Sequence, residues 1–195
     1  TSCTLSSLSG SSTVYTATCT PADGATASVA VAAETFNDAT GNDNSVSNTY
    51  TWTYDGTGPT MTITSSSVTS GATTGTEAVA LTFTSNEVTT DFIASDITAT
   101  SCTLSSLSGS STVYTATCTP ADGATASVAV AAGTFSDASS NTNSVSNTYS
   151  WTYDGTGPTM TITSDTVASG ATTATAAIVL IYTSNEVTTD FVLAD

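Results

Sequence analysis

The sequence predicts an all-β protein built from tandem antiparallel β-sandwich repeats of 99 residues, and three observations carry that expectation. The first is composition. Thr, Val, Tyr and Ile fill a chain of 195 residues that is 38% hydrophobic and 8% charged, while the helix formers Lys and Arg are absent. β-branched and aromatic side chains suit a pleated, half-buried surface, and no segment offers an apolar stripe at helical spacing. The second is repetition: residues 1–33 and 100–132 are identical, and self-similarity at a fixed period marks a repeat architecture. The third is punctuation, because short apolar alternations with Ser and Thr are separated by Gly, Pro and Asp, as strands are by turns.

The period places the domains. Each repeat begins at a "DGTGPTMTIT" segment, where Gly and Pro interrupt the chain before an alternating apolar run. Residues 59–157 then form one complete repeat, 1–58 the C-terminal part of the preceding one and 158–195 the N-terminal part of the following one. A unit of about 100 residues is long enough to bury a core of its own. Two organisations fit this phase: a section of a longer polymer, which near-identical repeats favour, or chains that complete one another's half-domains head to tail.

Within the complete repeat, period-two alternation predicts strands over 60–66, 78–85, 96–107, 112–120, 125–135 and 146–154. The expected inward residues are Met61, Ile63, Val79, Leu81, Phe83, Leu104, Tyr114, Val128, Val130, Tyr149, Trp151 and Tyr153. Six or seven short strands at this spacing indicate an antiparallel sandwich.

Cysteine spacing supplies a local expectation. Cys3 with Cys19, and Cys102 with Cys118, flank two alternating segments around a Gly/Ser turn near Gly109 and Ser110 in the second copy, which reads as a β-hairpin. Counting outward from that turn sets Cys102 opposite Cys118 and Leu104 opposite Ala116, close enough for one disulfide per repeat. Buried free thiols and a metal site are the rival readings. Against the metal stand the long spacing, unlike paired zinc ligands, and the lack of His. Disulfides imply an oxidising compartment, hence secretion or a cell surface.

Charge excludes several functions. Sixteen Asp and Glu with no Lys, Arg or His give a net charge of −16. No side chain can neutralise a phosphate, so nucleic acid and anionic membrane surfaces are excluded as partners. No run of 18 apolar residues is present for membrane insertion in this stretch, and no basic leader precedes an apolar core. Without His or Lys there is no usual base for a Ser or Thr nucleophile, so the chain does not read as an enzyme.

The run "ALTFTSNEVTTDFIASDITAT" (80–100), followed by "YTATCTPADGATASVAVAAGTFSDASSN" (114–141) and "DGTGPT" (154–159), resembles the bacterial immunoglobulin-like, Big-type, tandem repeats of large cell-surface adhesins. Recurring phrases of those repeats are a strand ending in F-T-x-S-E-x-V, a Y-T-A-T-x-T-P strand, a V-A-A-G loop leading to D-A-x-G-N, and a D-x-T-x-P junction. The likeness spans the whole 99-residue unit. Two departures stand out: such repeats generally lack cysteine, and the loop kept as "DATGN" at 38–42 becomes "DASSN" at 137–141.

The resemblance implies an immunoglobulin-like sandwich and an extracellular stalk or filament for cell-surface adhesion, with neighbouring repeats or identical subunits of a fibre as partners and an unknown surface ligand. In that topology the second strand ends where the previous domain joins. Glu87 and Asp91 should therefore face Asp55, with Asp137 in a neighbouring loop, and Asp154, Glu186 and Asp190 form the equivalent set at the next junction. Carboxylates clustered without a cationic partner suit Ca2+. In the resembling adhesins junction calcium stiffens the stalk; the plain alternative is surface acids that keep the chain soluble.

Two further readings complete the sequence. Tyr149, Trp151 and Tyr153 form a stripe that could stack sugars, as a carbohydrate-binding module requires, or fill the core; a phage or viral fibre decoration domain is a further alternative. Val179 and Ile181 replace the outward Ala80 and Thr82 of the middle copy, and an outward apolar pair suggests a lateral interface.

Overall fold

The computed structural model describes residues 2–192. Strands dominate, and the single helical element among the described residues is a one-turn 3-10 helix at Ala94–Asp96. The first part of the chain holds β1 (Cys3–Ser11), β2 (Val14–Pro21), β3 (Thr26–Val29) and β4 (Tyr50–Thr53). The middle repeat holds β5 (Met61–Thr64), β6 (Thr73–Thr74), β7 (Val79–Thr89), β8 (Ile97–Thr100), β9 (Cys102–Pro120), β10 (Thr125–Val130) and β11 (Tyr149–Tyr153). β12 (Met160–Thr163) and β13 (Ile181–Ser184) follow.

The middle repeat is a two-layer sandwich, as expected from the alternation. One sheet has the order β5-β7-β9 and the other β6-β11-β10-β8. The last arm of β9 pairs antiparallel with β7, while β11 pairs antiparallel with β10 and parallel with β6. With β9 folded back on itself as two arms, this is the immunoglobulin constant-type arrangement, in which the first, second, fifth and fourth strands form one sheet and the third, sixth and seventh the other. The short parallel β6 lets the N-terminal segment contribute to both sheets.

The core lies between the layers. Ile63, Val79, Leu81, Phe83, Val128, Val130 and Trp151 are each at most 1% exposed, and burying a side chain of this size contributes about 1.5–3 kcal/mol. Phe92 packs edge-on against both Tyr114 and Phe135, with ring centroids 5.0 and 5.2 Å apart. Ten of the twelve residues expected inward are buried; Leu104 and Tyr153 are half-buried at the margin. Tyr149 and Trp151 are core residues, so the aromatic stripe is no sugar platform in the middle repeat. The Tyr149 hydroxyl donates to the Val68 carbonyl, whereas Trp151 Nε1 is buried without a partner.

The hairpin expectation needs correction in register. Both disulfides form, Cys3–Cys19 with Cα atoms 5.6 Å apart and Cys102–Cys118 with 5.8 Å. In the β1–β2 hairpin, however, Leu5 lies opposite Cys19 and Cys3 opposite Pro21, so the disulfide runs diagonally rather than straight across. The cause is a bulge between Ser6 and Ser9, where Ser7 takes φ 56°, and a turn at Ser12 and Thr13 instead of the Gly/Ser pair. Gly10 is a strand residue: at φ 134°, a Cβ there would lie 2.3 Å from the Val14 carbonyl oxygen. Glycine is required for that close approach, and the turn itself falls two residues later. On its other side, the second arm of β9 pairs with β7, where Ala116 faces Leu81.

Candidate functional site

The junction between the first part of the chain and the middle repeat is built from three short segments. The first is "YDGTGP", which leaves β4 and enters β5. Gly58 lies against the loop after β10, since a Cβ on it would sit 2.0 Å from the Thr142 carbonyl oxygen. The Ser144 amide donates to the Pro59 carbonyl at 3.0 Å, fixing the entry of the chain into the sandwich. The second segment is the end of β7, and the third is the 137–141 loop, bridged to it at Thr89 and Asp137.

That loop is an Asx-type turn. Asp137 Oδ1 accepts from the amides of Ser139 at 2.8 Å and Asn141 at 2.9 Å, and Oδ2 accepts from Asn141 Nδ2 at 3.0 Å. A carboxylate two residues before a free amide supplies the turn's hydrogen bonds locally. The loop then reaches across to the junction segment. Ser139 Oγ donates to Asp55 Oδ2 at 3.0 Å, and Asn141 Nδ2 donates to the Asp55 carbonyl at 3.1 Å.

These contacts bring Asp55, Glu87 and Asp137 together: one carboxylate oxygen from each lies within 4.8 Å of the others, and all three residues are half-buried. Burial raises the Glu87 pKa, and the charges of Asp55 and Asp137 raise it further. For Asp137, burial works upward, but hydrogen bonds from Asn141, Ser139 and Glu87 prevail and its pKa is lowered. The two shifts run in opposite directions, Glu87 up and Asp137 down, as neighbouring carboxylates without a cation do.

Asp91 stands apart from this group. It is exposed, and it accepts hydrogen bonds from the Ser136 amide at 3.0 Å and Ser136 Oγ at 2.7 Å, fastening the segment after β7 to the start of the loop. Asp154, Glu186 and Asp190 do not gather into a three-carboxylate group among the described residues. The position 99 residues after Asp137 lies beyond residue 195. Val179 is 73% and Ile181 38% exposed, but Leu180 and Tyr182 beside them are 45% and 47% exposed, so exposure does not single out the outward pair.

Sequence reasoning missed the residues that hold the loops. Asn143, 3% exposed, accepts from the amides of Thr134 and Phe135 and donates to the carbonyls of Ala131 and Ser144, with all four distances between 2.8 and 3.0 Å. Asn147 pairs with both backbone groups of Ile63. Asp122 accepts from the Gly155 amide at 2.6 Å and from the Thr156 hydroxyl, and these bonds lower its pKa. Asp23 does the same for Gly56 and Thr57. The available signal was the recurrence of these Asn and Asp residues at the 99-residue period in loops otherwise made of Ala, Gly, Ser and Thr.

Comparison with curated proteins and with solved structures gives no match. The family described as bacterial Ig-like domain matches residues 1–54 and again 55–153. The second match begins at Asp55, the residue stitched to the 137–141 loop, and the two regions together cover most of the chain. The protein therefore belongs to the bacterial Ig-like domain family.

Proposed function

We propose that this chain is a stretch of an extracellular stalk or filament whose Ig-like repeats hold an adhesive element away from a surface. The observation that carries the reading is the junction: Asp55, the first residue of the second matched region, is hydrogen-bonded to Ser139 and Asn141 of that repeat. A linker fastened this way transmits tension and direction between beads, which a mechanical spacer needs and a catalyst does not. β7 runs 11 residues, and at about 3.3 Å each a repeat is roughly 35 Å long, so reach grows with copy number. Two disulfides support an oxidising, extracellular setting. Small-angle scattering tests the reading. An elongated particle with a narrow cross-section is expected, and a compact globule in which the matched regions fold side by side would overturn it.

Calcium at the junction is part of this proposal. Asp55, Glu87 and Asp137 offer only oxygen ligands, and the chain has no Lys, Arg or His to balance them. A hard divalent cation between the three would remove the repulsion and lock the linker. Asp91, turned to Ser136, has no place in that set. Calcium should raise the melting temperature of the middle repeat and a chelator should reverse the rise; a melting curve indifferent to both would remove the ion from the proposal.

A further inference from the structure

The first and last segments of the middle repeat are bonded directly to each other at successive points. The Ile63 amide donates to Asn147 Oδ1 at 2.7 Å, and Asn147 Nδ2 donates to the Ile63 carbonyl at 2.9 Å. Further along, the Tyr149 hydroxyl donates to the Val68 carbonyl. The Gly71 amide then donates to the Ser150 carbonyl at 2.7 Å, the Thr152 amide to the Ala72 carbonyl at 2.9 Å and the Asp154 amide to the Thr74 carbonyl at 3.0 Å. Both segments advance together through this series, 63 to 74 against 147 to 154, because β6 and β11 run parallel.

That direction decides what a pull does to the bonds. The chain enters the repeat at the Asp55 junction and leaves it after Asp154, so tension draws 63–74 and 147–154 opposite ways along one axis. Parallel neighbours pulled in this sense slide past each other, and every bond between them is loaded at once. An antiparallel hairpin such as β1–β2, pulled from its open end, instead parts one bond at a time. Val68 and Tyr149 are both buried, so water cannot replace their bond until the segments separate. The chain between Thr74 and Asn147 lies to the side of this path and is shielded while the bonds hold.

We propose that residues 63–74 and 147–154 form a force-bearing clamp, through which the middle repeat resists stretching along its axis, with Asn147 as the latch at the entry side. Asn147 extends the contact beyond the strands: β11 begins only at Tyr149, and the carboxamide supplies the one acceptor and one donor that a strand residue would have offered Ile63. The clamp sets the rate of opening under load, which is a barrier, and not the equilibrium stability of the sandwich. The inference rests on the spacer reading for the direction of the load. Its test reads an unfolding rate under force, whereas the spacer reading is tested by the shape of the particle, so either can fail without the other.

The experiment holds the full 195-residue chain by its two ends in an optical trap and measures how fast the middle repeat unfolds at constant force. Its opening is recognised by a gain of roughly 300 Å, the extended chain from Asp55 to Asp154 less the separation of 16 residues closed by the disulfide. Tyr149→Phe and Tyr114→Phe form a matched pair. Each removes a buried hydroxyl that donates to a backbone carbonyl, that of Val68 within the clamp and that of Thr89 outside it. Both should lower the denaturation midpoint by similar amounts, but only Tyr149→Phe should speed unfolding under load, by about fivefold. Asn147→Ala loses two bonds of the clamp and should speed it roughly tenfold or more. That variant leaves the core untouched, and so tests the clamp whether or not the tyrosine variants fold. Equal acceleration by Tyr114→Phe and Tyr149→Phe, or an Asn147→Ala chain that opens no faster than the native one, would overturn the inference.

Discussion

Asp55 Oδ2 accepts a hydrogen bond from Ser139 Oγ at 3.0 Å, joining residues 84 positions apart across the entry to the middle repeat. The same contact draws Asp55 toward Glu87 and Asp137, so the bond that fixes the junction also concentrates charge there.

Without calcium, Glu87→Gln should therefore stabilise the middle repeat at neutral pH. The folded-state pKa of Glu87 is raised, by burial first and then by Asp55 and Asp137. A raised carboxyl contributes its stability below the unfolded value and loses it as pH rises through the folded value. The amide removes that loss, so the melting temperature at pH 7 should rise by about 1–4 °C, the scale of a surface charge interaction. The advantage should vanish in acid, where Glu87 is itself protonated. Asp137 works in the opposite sense: its lowered pKa contributes stability above its unfolded value that is lost as pH falls through the folded one. Thermal melts across the acidic range, with and without calcium, check both signs.

Left-handed positions differ between copies. Gly133 has φ 74° where the first copy has Glu34 at φ 60°, and Ser140 has φ 69° where the first copy has Gly41 at φ 90°. A Cβ on Gly133 would touch nothing within 4 Å, so substitution there tests backbone strain alone. Gly133→Ala should destabilise the middle repeat by about 1–2 kcal/mol and Ser140→Gly should stabilise it by about 1 kcal/mol. Chemical denaturation of the two variants measures both, and equal signs would contradict the assignment.

Asn143→Ala should be the most damaging single polar change in the middle repeat. It leaves the buried Phe135 amide, the Thr134 amide and two carbonyls without their partner, and a cost of about 2–4 kcal/mol is expected. Asn143→Asp, which retains the acceptor for Thr134 and Phe135 but no donor, should cost nearly as much. Denaturation midpoints decide.

Removal of the Cys102–Cys118 disulfide by a double Ala substitution should cost about 3 kcal/mol, since it closes a loop of the length for which chain entropy gives that value. The bond lies within one sheet and does not tie the two layers together. The variant should thus retain the sandwich and bury Trp151, with a lower melting temperature and unchanged near-ultraviolet circular dichroism.

Much of this architecture was legible in the chain. Period-two alternation placed Met61, Ile63, Val79, Leu81 and Phe83 inward because a strand offers every second side chain to the core, and the structure buries all five. The bulge at Ser7 and the turn at Ser12 and Thr13 were not legible, because a Gly/Ser-rich stretch has no apolar pattern strong enough to pin its register. At the junction, proximity of Asp55, Glu87 and Asp137 followed from topology, whereas Asp91 went to Ser136 through a loop conformation that no spacing rule encodes.

By itself the sequence determined the all-β class, the repeat, the pairing of the cysteines and the absence of any cation to balance the acids, since these depend on side-chain chemistry and local order. Only the tertiary structure decided what each inward residue faces. Tyr114 lies in the core because Phe83 of β7 stands opposite it. Burial is a property of what stands opposite, and the strand opposite Tyr114 comes from another part of the chain.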